Sequence, residues 1–137
     1  MPVEDSTLSE LFWAVARRLR HLSRETLDPL RIAPSHARAL AVLMRHGPLR
    51  PGALAEHLHI AARSATEVVD DLERRGLVER GPDPGDRRAT LVTLTPAGKA
   101  AGDRIRAARH AEAERFFGAL TPQERTELTR LLRKLRD

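Results

Sequence analysis

Two short amphipathic helices followed by a basic hairpin, all within residues 54–94, constrain the fold most strongly. The segment 62–76 reads ARSATEVVDDLERRG, and its apolar residues recur at the spacing of a helix face that packs on a core: Ala65, Val68, Val69 and Leu72. Polar and charged side chains occupy the opposite face. A shorter helix at 51–58, with Leu54 and Leu58 inward, precedes it across a tight turn, so the pair predicts a helix–turn–helix.

The predicted hairpin follows directly. The segments 77–80 and 89–94 are partly alternating and rich in β-branched residues, which is typical of strands. Between them, the sequence GPDPGDRR at 81–88 predicts a turn-rich loop with arginines at its tip. A helix that fits a major groove, beside an arginine-tipped loop that fits a minor groove, indicates a DNA-binding protein.

Four further helices are expected from capping residues and apolar periodicity. Thr7-x-x-Glu10 and Thr121-Pro122-x-Glu124 have the pattern of capping boxes, and prolines follow Ala33 and Thr95 at the predicted first turns. These helices cover about 7–26, 33–45, 95–117 and 121–135. In the second of them, the residues expected to point inward are Ala37, Leu40, Ala41 and Met44.

Composition favours one domain with a polyanionic partner. The chain has 137 residues, a net charge of +5 and 24 lysines and arginines. Only Lys99 and Lys134 are lysines; arginine forks onto phosphate and guanine, but a high-GC genome produces the same bias. The absence of cysteine excludes disulfides and thiolate metal sites.

Other classes of protein find little support in the residues. No apolar run approaches about 20 residues and no signal-peptide pattern occurs, so we expect a cytoplasmic protein outside the membrane. No nucleophile motif, phosphate loop or cofactor motif points to an enzyme. His57-x-His59 lacks the i, i+4 spacing that places two metal ligands on one helix face, so no metal site is expected, although a metal-responsive regulator stays an alternative.

The run from Leu72 to Gly98, LERRGLVERGPDPGDRRATLVTLTPAG, resembles the wing of the MarR family of winged-helix transcriptional regulators. Its Asp-x-Arg in the wing and Leu-Thr-x-x-Gly after the second strand are a specific signature, and the resemblance covers nearly the whole chain. It implies a mainly α fold with a small β-hairpin wing. Residues 1–137 would form one unit, with a winged helix–turn–helix module at 33–94 and dimerisation helices at 7–30 and 95–137.

The resemblance also implies the DNA contacts of the wing. Arg88 would enter the minor groove, Asp86 would hold the Arg88 guanidinium in place, and Arg87 would contact phosphate. The alternative is a solvated turn whose ion pair has no function.

The second helix of the helix–turn–helix, at 62–76, would be the recognition helix. Its Arg63 could fork onto guanine or contact a phosphate, and contacting phosphate is the commoner role of a lone arginine. Ser64 and Thr66 could reach bases or phosphates through their hydroxyls, and family members commonly have Thr or Ser at position 66. Glu67 departs from the family, where a basic or neutral residue is usual. It could accept from cytosine N4 or pair with Arg63 at i, i+4, and we favour the pair. Asp70 is expected to brace a neighbouring arginine.

Apolar residues near both chain ends exceed what a three-helix winged domain can cover, which indicates a second copy as their partner. They are Leu8, Leu11, Phe12, Phe116, Phe117, Leu128, Leu131, Leu132 and Leu135. The resemblance implies a two-fold dimer that holds two recognition helices about 34 Å apart on a near-palindromic operator. The alternative is a monomer in which these helices fold back on the winged helix–turn–helix module of the same chain.

A small-molecule effector is a further expectation, because family members commonly bind small aromatic or lipophilic acids. Trp13, Arg17 and His21 share one helix face approximately, and His36 or Arg38 could approach them, which would suit an aromatic carboxylate. The alternative is that Trp13 packs and the arginines are solvated. The sequence thus predicts a ligand-responsive DNA-binding repressor; the competing hypothesis is a winged-helix module that binds proteins.

Overall fold

The computed structural model describes residues 6–136. This part of the chain forms six α-helices and one antiparallel hairpin, which confirms the predicted mainly α fold with a β-hairpin wing. The elements are α1 (Leu8–Leu27), α2 (Pro34–His46), α3 (Pro51–Leu58), α4 (Ala62–Arg74), β1 (Val78–Asp83), β2 (Asp86–Leu94), α5 (Pro96–Phe116) and α6 (Pro122–Arg136), with short 3-10 turns at Asp28–Leu30 and Phe117–Ala119. The predicted unit also includes residues 1–5 and 137, which lie outside the described residues.

The helices begin where their capping residues place them. Thr7 Oγ1 accepts a hydrogen bond from the Glu10 N–H at 3.2 Å at the start of α1. At the start of α6, Thr121 Oγ1 accepts from the Glu124 N–H at 3.2 Å while Glu124 Oε1 accepts from the Thr121 N–H at 2.8 Å, a complete capping box. α4 is the contrast, because Ala61 precedes it and provides no side-chain cap.

The core lies among α2, α3, α4, the wing and the first half of α5. Its largest fully buried side chains are Leu27, Leu40, Leu43, Leu54, Leu72, Val69, Val78 and Val92. The predicted buried stripe of α4 is confirmed in full. In α2 the prediction was wrong at Ala41, which is exposed, and missed Leu43, which is buried. The reason is that α2 packs against α3, α4, α5 and β2 together, so its buried arc is wider than a single stripe.

The wing is longer and tighter than predicted. β1 and β2 pair from Val78 opposite Leu94 to Asp83 opposite Asp86, so most of the predicted loop at 81–88 belongs to the strands. Glycine and proline in this segment suggested a loop, but the outer part of a hairpin tolerates both residues. Leu49 forms an isolated bridge to Val92, with N···O distances of 3.2 and 2.8 Å.

A close contact joins the wing to α5. Thr95 Oγ1 donates to the Gly76 carbonyl at 2.6 Å and accepts from the Gly98 N–H at 3.0 Å, while the Thr95 N–H donates to the Leu77 carbonyl at 3.1 Å. A Cβ atom at Gly98 would lie 1.9 Å from the Leu77 oxygen. The Leu-Thr-x-x-Gly signature therefore has a steric cause: threonine caps α5, and glycine lets its first turn meet the strand.

Candidate nucleic-acid interface

The outward face of α4 is the most polar exposed surface of the helix–turn–helix. Arg63, Glu67, Asp70 and Arg74 recur at intervals of four, three and four residues, which places them in a line opposite the buried stripe. All four are exposed, as are Ser64 and Thr66. The Thr66 hydroxyl donates to the Ala62 carbonyl at 3.0 Å, so its oxygen can still accept a hydrogen bond from outside.

Most carboxylates of α4 are paired with cations. Arg80 on β1 donates to Asp70 at 2.6 Å through Nη2 and to Glu73 at 2.9 Å through Nη1, which confirms that Asp70 braces an arginine. Asp71 pairs with Arg74 one turn further along the helix. These pairs engage every carboxylate in the C-terminal half of α4, and the two bonds from Arg80 fasten the wing to this helix. Arg80 was missed by the sequence reasoning because the bond spans ten residues and depends on where β1 leaves α4.

The expected pair between Glu67 and Arg63 is not formed. Within residues 6–136, neither side chain has an ion-pair or hydrogen-bond partner. Both are exposed, and a solvated pair of this kind contributes little free energy to hold two flexible chains together. One free cation and one free anion therefore stand at the N-terminal half of α4.

The base of the wing tip is tethered to the start of α3. Arg50 Nη2 and Nε lie 2.8 and 2.9 Å from Asp83 Oδ2. The Gly85 N–H donates to Asp83 Oδ1 at 2.8 Å; together with the Arg50 guanidinium, it holds the pKa of the Asp83 carboxyl below its usual value. No signal in the sequence announces this pair, because its two members are 33 residues apart and meet only through the hairpin register.

Asp86, Arg87 and Arg88 lie exposed at the start of β2. Asp86 Oδ1 accepts from the backbone N–H of Arg88 at 3.0 Å and makes no ion pair with its guanidinium. In this structure the carboxylate thus shapes the turn rather than holding the Arg88 side chain. The guanidinium groups of Arg87 and Arg88 have no partner among the described residues and are available to a polyanion.

The α1 residues expected to bind an effector are exposed. Trp13 is 59% exposed, and its ring meets Phe12 edge-on with centroids 6.2 Å apart. Arg17, one turn further along α1, is exposed, and His21 Nε2 lies 3.1 Å from Glu25 Oε1. Both of these contacts stay within α1.

The α2 residues of the same expectation point elsewhere. His36 Nε2 lies 3.5 Å from Asp71 on α4, and Arg38 Nη2 donates to the Leu58 carbonyl at the end of α3 at 2.7 Å. Both side chains thus contact the helix–turn–helix. The single chain does not bring them to Trp13, Arg17 and His21.

The residues expected at a dimer interface form a large apolar surface on α1 and α6. Leu8, Leu11, Phe12, Leu131, Leu132 and Leu135 are between 39% and 84% exposed. A groove runs between the two helices; Phe12, Leu132 and Leu135 form its apolar part, and Thr129, Arg133 and Arg136 form the rest. Phe116, Phe117 and Leu128 are half-buried, with the two phenylalanine rings edge-to-face at 4.9 Å.

One buried carboxyl group was missed by the sequence reasoning. Glu112, in the alanine-rich α5, is only 4% exposed, and its Oε1 accepts from the Ser23 hydroxyl at 2.7 Å. Its Oε2 is buried without a hydrogen-bond partner in the described chain. The bond joins α1 to α5 across 89 residues, which no local pattern can reveal.

Two other possibilities, a metal site and a membrane-spanning helix, have no counterpart among residues 6–136. No group of three histidine or acidic side chains could hold a metal ion there. His57 stacks on His46, with ring centroids 4.1 Å apart, and not on His59. No helix in this range is long and apolar enough to cross a membrane.

The helix–turn–helix, the hairpin and the bridge to Leu49 define a winged helix–turn–helix protein. A sequence model of the MarR family matches residues 32–89. Curated relatives are named transcriptional regulators, some of them repressors. An HTH-type transcriptional regulator from Mycobacterium tuberculosis is 34% identical over 120 residues, which cover 87% of this chain and 80% of the relative. The chain belongs to the MarR family of transcriptional regulators.

Solved structures agree with this assignment. A mutant of MarR from E. coli, complexed with operator DNA, is 29% identical with a TM-score of 0.82, and the match covers 93% of this chain and 92% of that one. BpsR of Bordetella bronchiseptica, whose DNA binding is regulated by 6-hydroxynicotinic acid, is 26% identical with the same TM-score of 0.82 and covers 100% of this chain and 97% of its own.

Proposed function

We propose that the protein is a cytoplasmic, sequence-specific repressor that binds a near-palindromic operator as a homodimer and is released by a small-molecule ligand. The observation that supports DNA binding is the distribution of charge on the winged helix–turn–helix module. The acidic side chains of α4 other than Glu67, together with Asp83 of the wing, are paired internally, whereas Arg63, Arg87 and Arg88 are exposed without ion-pair partners in the described chain. Unpaired arginines on a helix and a wing are suited to phosphates and base edges.

Arg88→Ala tests this reading of the wing. It should weaken operator binding by between about fivefold and 150-fold, the range for losing one good contact, while leaving the fold unchanged. The operator would first be located by footprinting the DNA upstream of the protein's own gene. Fluorescence anisotropy then gives affinities, and circular dichroism checks the fold. Arg104→Ala, an exposed arginine on α5 outside the module, is the matched control. Unaltered affinity of the Arg88 variant would remove the wing from the mechanism.

Salt dependence separates a DNA-binding regulator from a protein-interaction module. Binding to DNA releases counterions, so the logarithm of the affinity should fall linearly with the logarithm of salt concentration, with a slope of about −0.9 for each neutralised phosphate. A slope near zero would favour the protein-interaction module.

The exposed leucines of α1 and α6 support a homodimer, since contiguous apolar surface of this kind marks an interface. Leu132→Glu should shift the solution mass from two chains to one and abolish cooperative operator binding. Gln123→Glu adds the same charge at the exposed first turn of the same helix and should leave the mass unchanged. A wild-type mass of one chain, measured where the operator is occupied, would refute the dimer.

A small aromatic or lipophilic acid is the proposed effector. The exposed Trp13 ring one turn from Arg17 supports this class of ligand, as does the regulation of BpsR by 6-hydroxynicotinic acid. His36 and Arg38 contact α3 and α4, so they would take part only after leaving these partners. Trp13 is the sole tryptophan, so quenching of intrinsic fluorescence by salicylate or 6-hydroxynicotinic acid reports on the site directly. Ligand-induced release that persists in a dimeric Trp13→Ala variant would dismiss it.

A further inference from the structure

Glu67 lies in the line of exposed side chains on α4, formed with Arg63, Asp70 and Arg74, that faces away from the core. It lies one turn after Arg63 and one turn before Asp70, directly opposite the buried stripe of α4. The N-terminal residues of a recognition helix are the ones that contact base edges when the helix enters a major groove. Glu67 therefore belongs to the half of α4 that meets the bases.

The structure distinguishes Glu67 from every other carboxylate of α4. Asp70 and Glu73 are bound by Arg80, and Asp71 is bound by Arg74. Glu67 has no cationic partner among the described residues, not even Arg63, although the spacing would allow it. Glu67 is thus the one carboxylate of α4 that has no cationic partner in the described chain.

A carboxylate without a cationic partner is unfavourable in a DNA groove unless it accepts a hydrogen bond from a donor there. The phosphates on either side repel it, and entry into the groove removes part of its hydration. Arg63 has no contact that holds it near Glu67, so it is free to bind DNA instead. With Arg63 engaged by DNA, a donor on the bases is the group that would compensate the carboxylate.

Only two groups on the floor of the major groove can donate: the N4 amino group of cytosine and the N6 amino group of adenine. Beside its amino group, adenine presents the N7 acceptor on the same base, which repels the second carboxylate oxygen. Cytosine presents no acceptor of its own in that groove. Guanine and thymine offer acceptors and a methyl group.

We propose that Glu67 is a specificity-determining residue, which accepts a hydrogen bond from the N4 amino group of a cytosine in each operator half-site. This inference rests on the proposed function as a sequence-specific DNA-binding protein. It predicts that Glu67 lowers affinity for DNA in general and selects one C·G pair within it.

The experiment is in vitro selection from randomised duplexes with the full-length wild type, Glu67→Ala and Glu67→Gln, followed by anisotropy titrations on single-position variants of the selected site. In the wild type, replacing the selected C·G pair by T·A should weaken binding between about fivefold and 150-fold. In Glu67→Ala the same base-pair replacement should leave the affinity for DNA unchanged. The base preferences at the other positions should stay as in the wild type. Glu67→Gln should shift the preference at this position towards adenine, which an amide binds through N6 and N7.

Asp103→Ala, which removes an exposed carboxylate of α5 outside the module, is the control for net charge and should keep the wild-type preference. Glu67 is exposed, so both of its variants should fold. Wild-type base preferences retained at every position in Glu67→Ala would overturn the inference and leave the proposed function standing. A wild-type protein that enriches no sequence would overturn the proposed function and the inference with it.

Discussion

Gly98→Ala tests the junction between the wing and α5. The added Cβ would lie 1.9 Å from the Leu77 carbonyl oxygen and 2.9 Å from its carbon. The obstacle is backbone, so no rotation of a side chain can relieve it. Either the first turn of α5 or the start of β1 must move by about 1 Å, and the same carbonyl would then lose its hydrogen bond from the Thr95 N–H.

The free energy of unfolding should fall by about 1–4 kcal/mol. Overpacking costs about 1–3 kcal/mol and more against rigid atoms, and the strained hydrogen bond adds about 1 kcal/mol. Alanine recovers at most about 1 kcal/mol through its better helix propensity. For a chain of this size, the loss corresponds to a decrease of about 10 °C in Tm.

Urea unfolding followed by circular dichroism measures the change, at equal protein concentration because a dimer links stability to concentration. Gly52→Ala is the matched control: a Cβ there meets nothing within 4 Å, so this variant should be as stable as the wild type or up to about 1 kcal/mol more stable. Gly102→Ala should fall between the two, because its obstacle is the flexible Met44 side chain. A Gly98 variant with the wild-type midpoint and slope would refute the steric explanation of the motif.

Two further predictions concern ion pairs and buried charge. Arg50→Gln should raise the pKa of Asp83 only part of the way towards its ordinary value, since the larger contribution from a backbone N–H remains; carboxyl NMR titration measures it. Because the folded pKa is the lower one, the stabilisation from Asp83 is present above the unfolded pKa and is lost as pH falls through the folded pKa, so Arg50→Gln should flatten the acid limb of the stability curve; a wild-type acid limb would contradict this. Ser23→Ala leaves the buried Glu112 without its donor and should lower the free energy of unfolding by about 1–3 kcal/mol. That loss should vanish in a Glu112→Leu background, and persistence there would show that another contact of Ser23 is responsible.

Local features of this fold were predictable because their information lies within a few residues. Thr7 and Thr121 cap helices through partners three residues away, and the buried stripe of α4 follows from one turn of periodicity. The extent of the wing was not predictable in the same way. Gly81 and Pro82 are residues of turns and of outer strands alike, and only pairing with β2 decides between the two.

The charged residues of the candidate interface likewise divide into features that the local sequence predicts and features that depend on tertiary contacts. Sequence spacing identified Arg63 and Glu67 as neighbours but could not decide whether two exposed chains would pair, since the free energy involved is small. Arg80 meets Asp70 only once β1 has folded back along α4. The exposed residues of the face were therefore readable from the sequence, whereas their partners depended on tertiary packing.

The close contact between Gly98 and Leu77 fixes the first turn of α5 against the base of the wing. The 21 residues of α5 span about 30 Å at the usual rise of an α-helix. A tilt of about 5° around the far end, near Phe116, would carry the wing through an arc of about 2.6 Å over that length, most of the roughly 3.4 Å between successive base pairs. If the protein works as proposed, a ligand that separated α1 and α5 by only a few degrees would thus shift the wing by most of one base-pair step.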